Sequence, residues 1–289
     1  MATRLQRRSL LTVILRLALA GAAMITPTVK AQTETATFGV ISQRSPTLTA
    51  QYWNPILRHV ADKAGVPLVL KLARTGPEHA AMITRGEPDF IYSNHNFTPE
   101  NDTAGYRVIA RPAQAAISGQ IIVLGSSQFK SLAQLQGKDV VFPSLAAFVG
   151  YYVPMDALLR QGIEVSPLFA GNQEGAIGQL KAGRAAAAAV NSEVIREYAK
   201  RDGLSYRVLW TSELYQNIPI SVHPRIPKQR IEAVREAFVR MAEDPEGARI
   251  LAASAELIKQ APPFGFVLAS DADYENVRQF HRTTRVKGD

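Results

Sequence analysis

Short apolar strands and amphipathic helices alternate along the first third of the chain. Residues 37–41 predict a strand, the apolar spacing of residues 53–64 predicts a helix, and residues 66–72 predict a second strand. A Thr-Gly-Pro start at residues 75–77 opens the next helix, and residues 89–92 form a third strand. This β-α-β-α-β order favours parallel strands joined by right-handed crossovers.

The same alternation resumes at residue 119 and predicts a second α/β unit. An extended segment at residues 220–223 then returns the chain to the first unit, and the remainder is predicted to be helical. We therefore expect an α/β protein of two lobes, each a mostly parallel sheet flanked by helices, with a hinge of two crossings. The expected boundaries are residues 32–118 with 216–289 for lobe 1, and residues 119–215 for lobe 2.

The N-terminal residues are typical of a secretory leader. Arginines at positions 4, 7 and 8 precede an apolar run at residues 10–25, and Val29-Lys30-Ala31 places small residues where a signal peptidase cuts. The paired arginines also fit a twin-arginine signal, and a membrane anchor is the alternative that Arg16 and the short run disfavour. We expect a signal peptide over residues 1–31 and a soluble periplasmic protein.

Charge and composition exclude several classes of function. The chain has 33 basic and 25 acidic residues, but five of the basic ones lie in the leader, which leaves 28 against 25. A nucleic-acid partner is therefore not expected. The absence of cysteine excludes disulfides and thiolate metal sites. The five histidines show no metal-ligand spacing, and no catalytic or nucleotide-binding motif is present, so no enzyme, cofactor or metal is predicted.

Two polar loops follow predicted strands of the first unit, at residues 42–45 and 93–102. Ligands of open parallel sheets bind beyond the carboxyl ends of the strands, where both loops would lie. Solvated turns and an ordinary strand-end aromatic residue are the alternatives for these positions. The candidate ligand residues in this unit are Arg44, Tyr92, Asn94 and His95.

The second unit contains a strand, a short turn and a helix at residues 140–160. Small residues stand where the helix begins, and the unpaired N–H groups of such a turn can hold an anion. Two further helix starts, at residues 172–174 and 191–193, offer polar side chains, although simple capping would explain these equally well. Phe148 could equally be a core residue. The candidates here are Ser144, Ala147, Phe148, Gln173, Glu174, Asn191 and Ser192.

Taken in order, these segments resemble the periplasmic phosphate/phosphite/phosphonate-binding proteins of ABC transporters, a branch of the type 2 periplasmic binding fold. The resemblance rests on five stretches: Ser45-Pro46 with Trp53, residues 86–92, residues 132–154, residues 171–176 and residues 185–192. It implies a monomeric receptor that binds a small, anionic ligand between its lobes and passes it to a permease in the inner membrane. Some relatives instead present their ligand to a sensor kinase, which is the alternative partner, and a soluble enzyme on the same fold is less favoured.

The chain departs from this family at the helix start of the second lobe. Phosphonate binders have a Ser-Thr-Ser-Gly type run there, whereas this chain reads Ala146-Ala147-Phe148-Val149-Gly150, with Ser144 as the nearby hydroxyl. Backbone N–H donors survive the change and hydroxyl donors do not. Because charge-assisted hydrogen bonds are worth roughly 1.5–3 kcal/mol each, the departure predicts weaker binding of a tetrahedral oxyanion than the family pattern would give.

Overall fold

The computed structural model describes residues 34–41 and 43–287, so the predicted signal peptide lies outside the described residues. The strands fall into two sheets, and we call the elements around each sheet the first and the second lobe. The first sheet contains β1 (Ala36–Val40), β2 (Leu68–Leu72), β3 (Phe90–Tyr92), β4 (Arg107–Pro112), β10 (Ile220–Val222) and β11 (Phe266–Leu268). The second contains β5 (Gly119–Leu124), β6 (Asp139–Phe142), β7 (Ser166–Phe169), β8 (Ala187–Asn191) and β9 (Tyr206–Thr211).

Helices flank both sheets, and most of them begin at a capping side chain. Thr75, Asn172, Asn191 and Asp244 each accept a hydrogen bond from a backbone N–H in the first turn that follows. The helices are α1 (Pro46–Ala64), α2 (Gly76–Thr84), α3 (Pro99–Asp102), α4 (Val153–Arg160), α5 (Gln173–Lys181), α6 (Ser192–Asp202), α7 (Lys228–Val239), α8 (Pro245–Ile258) and α9 (Glu275–Thr283). Among the described residues, no helix combines the length and the apolar character needed to cross a membrane.

The predicted two-sheet architecture is present, but both sheets are mixed rather than mostly parallel. The orders are β11-β4-β10-β3-β1-β2 and β7-β6-β8-β5-β9. Strand β1 pairs in parallel with β2 and β3, as predicted, whereas β10 runs antiparallel to both β3 and β4. In the second sheet, β6 is parallel to β7 and β8, and β5 is antiparallel to its neighbours. The chain enters the second sheet at β5 and returns to the first sheet at β10. Each of these strands runs antiparallel to the strands beside it.

Each lobe has its own apolar core. Phe38 and Phe238 are fully buried in the first lobe, where their rings lie 5.7 Å apart between the sheet and the helices α1 and α7. In the second lobe, helices cover both faces of the sheet. Every residue of β8 is buried, and its alanines allow α5 and the turn before α4 to approach closely.

Two crossings connect the lobes, at residues 113–118 and 212–219. They pair with each other, because Ile117 and Tyr215 exchange two backbone hydrogen bonds of 2.7 Å. Such pairing makes the two segments one hinge element instead of two independent linkers.

A third connection, which the sequence did not predict, is made by residues 270–287, called here the C-terminal segment. Tyr274 stacks on Phe97 of the first lobe at 5.0 Å, and Phe280 packs on Phe148 of the second lobe at 5.3 Å. Asp156 of α4 then accepts hydrogen bonds from the Thr284 hydroxyl at 3.0 Å and the Arg285 N–H at 2.6 Å. The C-terminal segment therefore touches both lobes.

Replacing Asp156 by alanine should lower the free energy of unfolding by about 2–4 kcal/mol. The carboxylate is buried, and the substitution leaves the Thr284 hydroxyl, the Arg285 N–H and Arg160 without their acceptor. Urea unfolding measures the loss. Asp139→Ala, at an exposed position of the same lobe, is the control and should cost less than about 0.5 kcal/mol. Equal losses for the two variants would contradict the role given to Asp156.

Candidate ligand-binding site

A cavity of about 20 Å³ lies between the lobes. We call it the central cavity. Its volume corresponds to one or two water-sized groups. No Asp, Glu, Lys or Arg of the described residues lines it. The lining consists of Ile41, Gln43, Gly76, Asn94, His95 and Ile218 with Pro143, Ser144, Ala147, Phe148, Val149, Gln173 and Asn191.

Four helix starts meet at the central cavity. Gly76 is the first residue of α2, Phe148 begins the π-helical turn that leads into α4, Gln173 is the first residue of α5, and Asn191 caps α6. The first of these comes from the first lobe and the other three from the second. Helix N-termini carry partial positive charge, so the cavity favours an anion although no Asp, Glu, Lys or Arg of the described residues lines it. Of the first-turn N–H groups of α5 and α6, those of residues 174, 175, 192 and 193 already have acceptors within the protein.

The turn before α4 supplies backbone donors, as the sequence predicts. The Ala147 carbonyl accepts from the N–H groups of Tyr151 at 2.9 Å and Tyr152 at 3.0 Å, so the helix opens with a π turn. The N–H groups of residues 148–150 have no backbone acceptor among the described residues. Gly150 is required here, since a Cβ would lie 2.6 Å from the amide nitrogen of Gln173.

On the first lobe, the loop after β3 forms the opposite wall. Its backbone is fixed, because the His95 N–H donates to Ser93 Oγ at 3.1 Å and the Asn101 amide donates to the His95 carbonyl at 2.9 Å. The side chains are not fixed in this way: Asn94 Oδ1 and both ring nitrogens of His95 are buried without a partner among the described residues. The His79 ring lies behind His95, edge to face at 5.4 Å.

Arg44 contacts carboxylates instead of the central cavity. Its guanidinium pairs with Glu197 across the lobes, and its Nε lies 3.8 Å from Glu174 Oε1. The Glu174 N–H also donates to the Gln43 carbonyl at 3.2 Å, and Glu174 binds Arg201 at 2.7 Å. The contacts of residues 43 and 44 with Glu174 and Glu197 cross between the lobes and help hold them together, whereas the pair of Glu174 with Arg201 lies within the second lobe.

Arg44 and the glutamates around it shift one another's pKa values. Burial alone would lower the pKa of Arg44, but Glu197, Glu174 and Glu193 raise it above its ordinary value, so the guanidinium stays charged. Burial raises the pKa of Glu197, while Arg44 acts in the opposite direction. One oxygen of Glu197 has no partner among the described residues. With its pKa raised to about 7, Glu197 is close to protonation at neutral pH even beside Arg44.

The structure thus divides the predicted ligand residues into three groups. Tyr92 and Arg44 line a neighbouring cavity of about 30 Å³ that shares Ile41 and Gln43 with the central one. Glu174 lies in the interlobe ion pairs, and Ser192 holds the hinge, since its hydroxyl accepts from the Ser118 N–H at 3.0 Å. The residues that line the central cavity are Asn94, His95, Ser144, Ala147, Phe148, Gln173 and Asn191.

Sequence reasoning missed Gln43 and Gly76. The Thr-Gly-Pro start of α2 was a usable signal for Gly76, because a glycine at a helix start permits close approach.

No group of three His, Asp or Glu side chains suited to a metal ion occurs among residues 34–41 and 43–287.

Two α/β lobes that enclose a cavity across a paired hinge define a two-lobe solute-binding protein. A model of the family described as "ABC transporter, phosphonate, periplasmic substrate-binding protein" matches residues 38–274, and the chain belongs to this family. It is a substrate-binding protein that works with an ABC transporter, and not an enzyme.

Solved structures support the fold. The binding component of a phosphonate ABC transporter from Pseudomonas aeruginosa is 16% identical with a TM-score of 0.74, over 86% of this chain and 85% of that one. PhnD1 of Prochlorococcus marinus, solved with methylphosphonate, is 15% identical with a TM-score of 0.72, over 86% and 98%. A Xanthomonas citri protein solved with ATP is 16% identical with a TM-score of 0.66, over 86% and 96%. No curated protein matches the chain.

Replacing Arg44 by methionine should cost about 3 kcal/mol in the free energy of unfolding. The substitution keeps the bulk of the side chain but leaves the buried Glu197 carboxylate without its counter-charge. The control is Arg74→Met, because Arg74 is 92% exposed and pairs with Glu78 at 3.6 Å. Chemical unfolding should show a cost below about 1 kcal/mol for the control. If Arg44→Met is as stable as the control, the interlobe pair does not hold the lobes together.

Proposed function

We propose that this protein captures a small oxyanion of the phosphonate, phosphite or phosphate type in the central cavity. The observation that carries the proposal is the meeting of four helix N-termini on one enclosed space without a charged side chain. A cation would be repelled by the partial positive charges of these helix ends, and an anion is stabilised by them.

The size of the central cavity limits the ligand. The central cavity has a volume of about 20 Å³ while the lobes are in contact, so even a compact ligand can enter only after the lobes separate slightly. Methylphosphonate, the ligand of the Prochlorococcus relative, is of this compact kind, whereas ATP, the ligand of the Xanthomonas protein, is much larger. We therefore favour a ligand with one tetrahedral head and a short substituent.

The proposed contacts come from both lobes. On the second lobe, the N–H groups of residues 148–150, the Ser144 hydroxyl and the Gln173 amide can donate to an oxyanion. On the first lobe, Asn94 and His95 face the same space. This set replaces the hydroxyl run of the family by backbone donors and by imidazole and amide groups of the opposite lobe.

A panel of ligands tests the proposal by thermal shift and calorimetry. Methylphosphonate, phosphite, phosphate and sulfate are compared with L-arginine, which serves as the cationic control. A binding oxyanion at one hundred times its dissociation constant should add about 2.7 kcal/mol of stability. Stabilisation by arginine, or by no oxyanion of the panel, would overturn the proposal.

Gly76→Ala should weaken binding of the oxyanion about tenfold, or roughly 1.4 kcal/mol. The new Cβ would overlap Ser144 Oγ on the facing lobe and lie 3.0 Å from Ser144 Cβ, so the lobes could not close fully. Calorimetric titration measures the change. The control is Gly178→Ala in α5, where a Cβ meets nothing within 4 Å and helix propensity favours alanine. Equal affinity of the two variants would show that closure at Gly76 is not needed for binding.

We further propose that residues 1–31 are a cleaved signal peptide and that the mature protein is a monomer. The leader composition supports export, and the family is periplasmic. A mature N-terminus at Gln32, read by mass spectrometry of the exported protein, would establish the cleavage site.

A further inference from the structure

Four neighbouring buried side chains on the first lobe have polar atoms without partners. His79, Asn94, His95 and Asn96 are between 0% and 7% exposed. Two atoms each of His79, His95 and Asn96, and one of Asn94, have no hydrogen-bond partner among the described residues. Most buried polar groups in proteins are paired, and an unpaired one destabilises the folded state. Asn94 and His95 also line the central cavity, so a ligand there can pair with their free atoms.

The cluster is held in position by its backbone. The Ser93 N–H donates to the Pro219 carbonyl at 3.1 Å, and the Asn101 amide and the Thr98 N–H both donate to the His95 carbonyl. The side chains therefore cannot find partners by a simple movement of the loop. His95 faces the central cavity, with Asn94 beside it and His79 behind it.

An anion in the central cavity would meet no full positive charge. Neither lysine nor arginine of the described residues lines it. The titratable groups around His95 are His79 on α2 and His281 on α9. Arg85, Glu100 and Lys287 share with His95 the lining of an open groove outside the cavity. Among the described residues that line the cavity, His95 is the one that can become positively charged, by gaining a proton on its imidazole ring.

We propose that His95, braced by His79, shares one proton with the bound oxyanion, so that a dianionic ligand binds with uptake of about one proton from solvent. This inference rests on the proposed function and adds to it the protonation state that the site selects. The proton comes from water and lies in the hydrogen bond between an imidazole nitrogen and a ligand oxygen. The ligand is recovered unchanged on release, together with the proton.

The direction of the pH dependence follows from the surroundings of His95. Burial lowers the pKa of His95 well below its usual range, and His79 and His281 act in the same direction, so the free protein holds it neutral. Burial also lowers the pKa of His79 to about 4. A bound anion beside His95 would raise its pKa. Above the second ionisation of the ligand, and below the pKa of His95 in the complex, binding therefore weakens up to tenfold for each unit of rising pH.

The test is calorimetric titration with methylphosphonate at a pH at which the free ligand is mostly the dianion. Titrations in buffers with different ionisation enthalpies give the number of protons taken up. The wild-type protein should take up about one proton for each ligand bound. His95→Gln should bind more weakly and take up almost none. The matched control is His223→Gln, a histidine of the same lobe that does not line the cavity, and it should behave as the wild type.

Binding by the wild type without proton uptake would overturn the inference and leave the proposed function intact. If His95→Gln takes up as many protons per ligand as the wild-type protein, the inference is also overturned. If no oxyanion binds at any pH, the proposed function itself fails. Imidazole ¹⁵N chemical shifts of the wild-type protein provide a readout that needs no variant. The shifts of His95 should move toward those of an imidazolium when ligand is added, and unchanged shifts would contradict the inference.

Discussion

Helix N-termini from both lobes face one small cavity, and their partial positive charges act together only while the lobes are in contact. The contacts that hold the lobes together are therefore as much a part of the site as its lining. Arg44 and Glu197 pair across the lobes, and the Glu174 N–H meets the Gln43 carbonyl at 3.2 Å. Gly76 lets the start of α2 approach Ser144 without a clash.

No Asp, Glu, Lys or Arg among the described residues lines the central cavity, so an anion there depends on the helix ends that closure brings together. A lysine or arginine in the lining would bind an anion in the open form as well, and it would need a counter-charge in the closed form. Helix ends and neutral imidazoles need none. The charged residues stand one layer away, where Arg44 and Arg201 pair with the carboxylates of Glu174 and Glu197.

The sequence predicted the parts of this arrangement that depend on local pattern. Polar residues directly after β3 and the small residues before α4 lie at the central cavity, because strand ends and helix starts are local features. Arg44 could not be assigned in this way, since its partner Glu197 is 153 positions further along the chain. The same reason explains the sheet direction: β10 joins the first sheet only after the chain has passed through the second lobe. Ser192 was a candidate because of its position at a helix start, and a hinge contact to Ser118 cannot be read from such a position.

Phe148 contributes apolar packing at the start of the π-helical turn before α4. Its ring lies 4.8 Å from Tyr215 in the hinge and 5.3 Å from Phe280 in the C-terminal segment. Phe148 is therefore part of an apolar contact between the hinge, α9 and the second lobe.

The C-terminal segment has a consequence for the kinetics of the receptor. Lobes joined by a hinge alone can swing apart freely, but here Thr284 and Arg285 also donate hydrogen bonds to Asp156 on the second lobe. Wide opening must then stretch the chain between β11 and α9 or lift its end from α4, and the second route is a local unfolding step. The residence time of the ligand would therefore follow the stability of a segment that never touches the ligand.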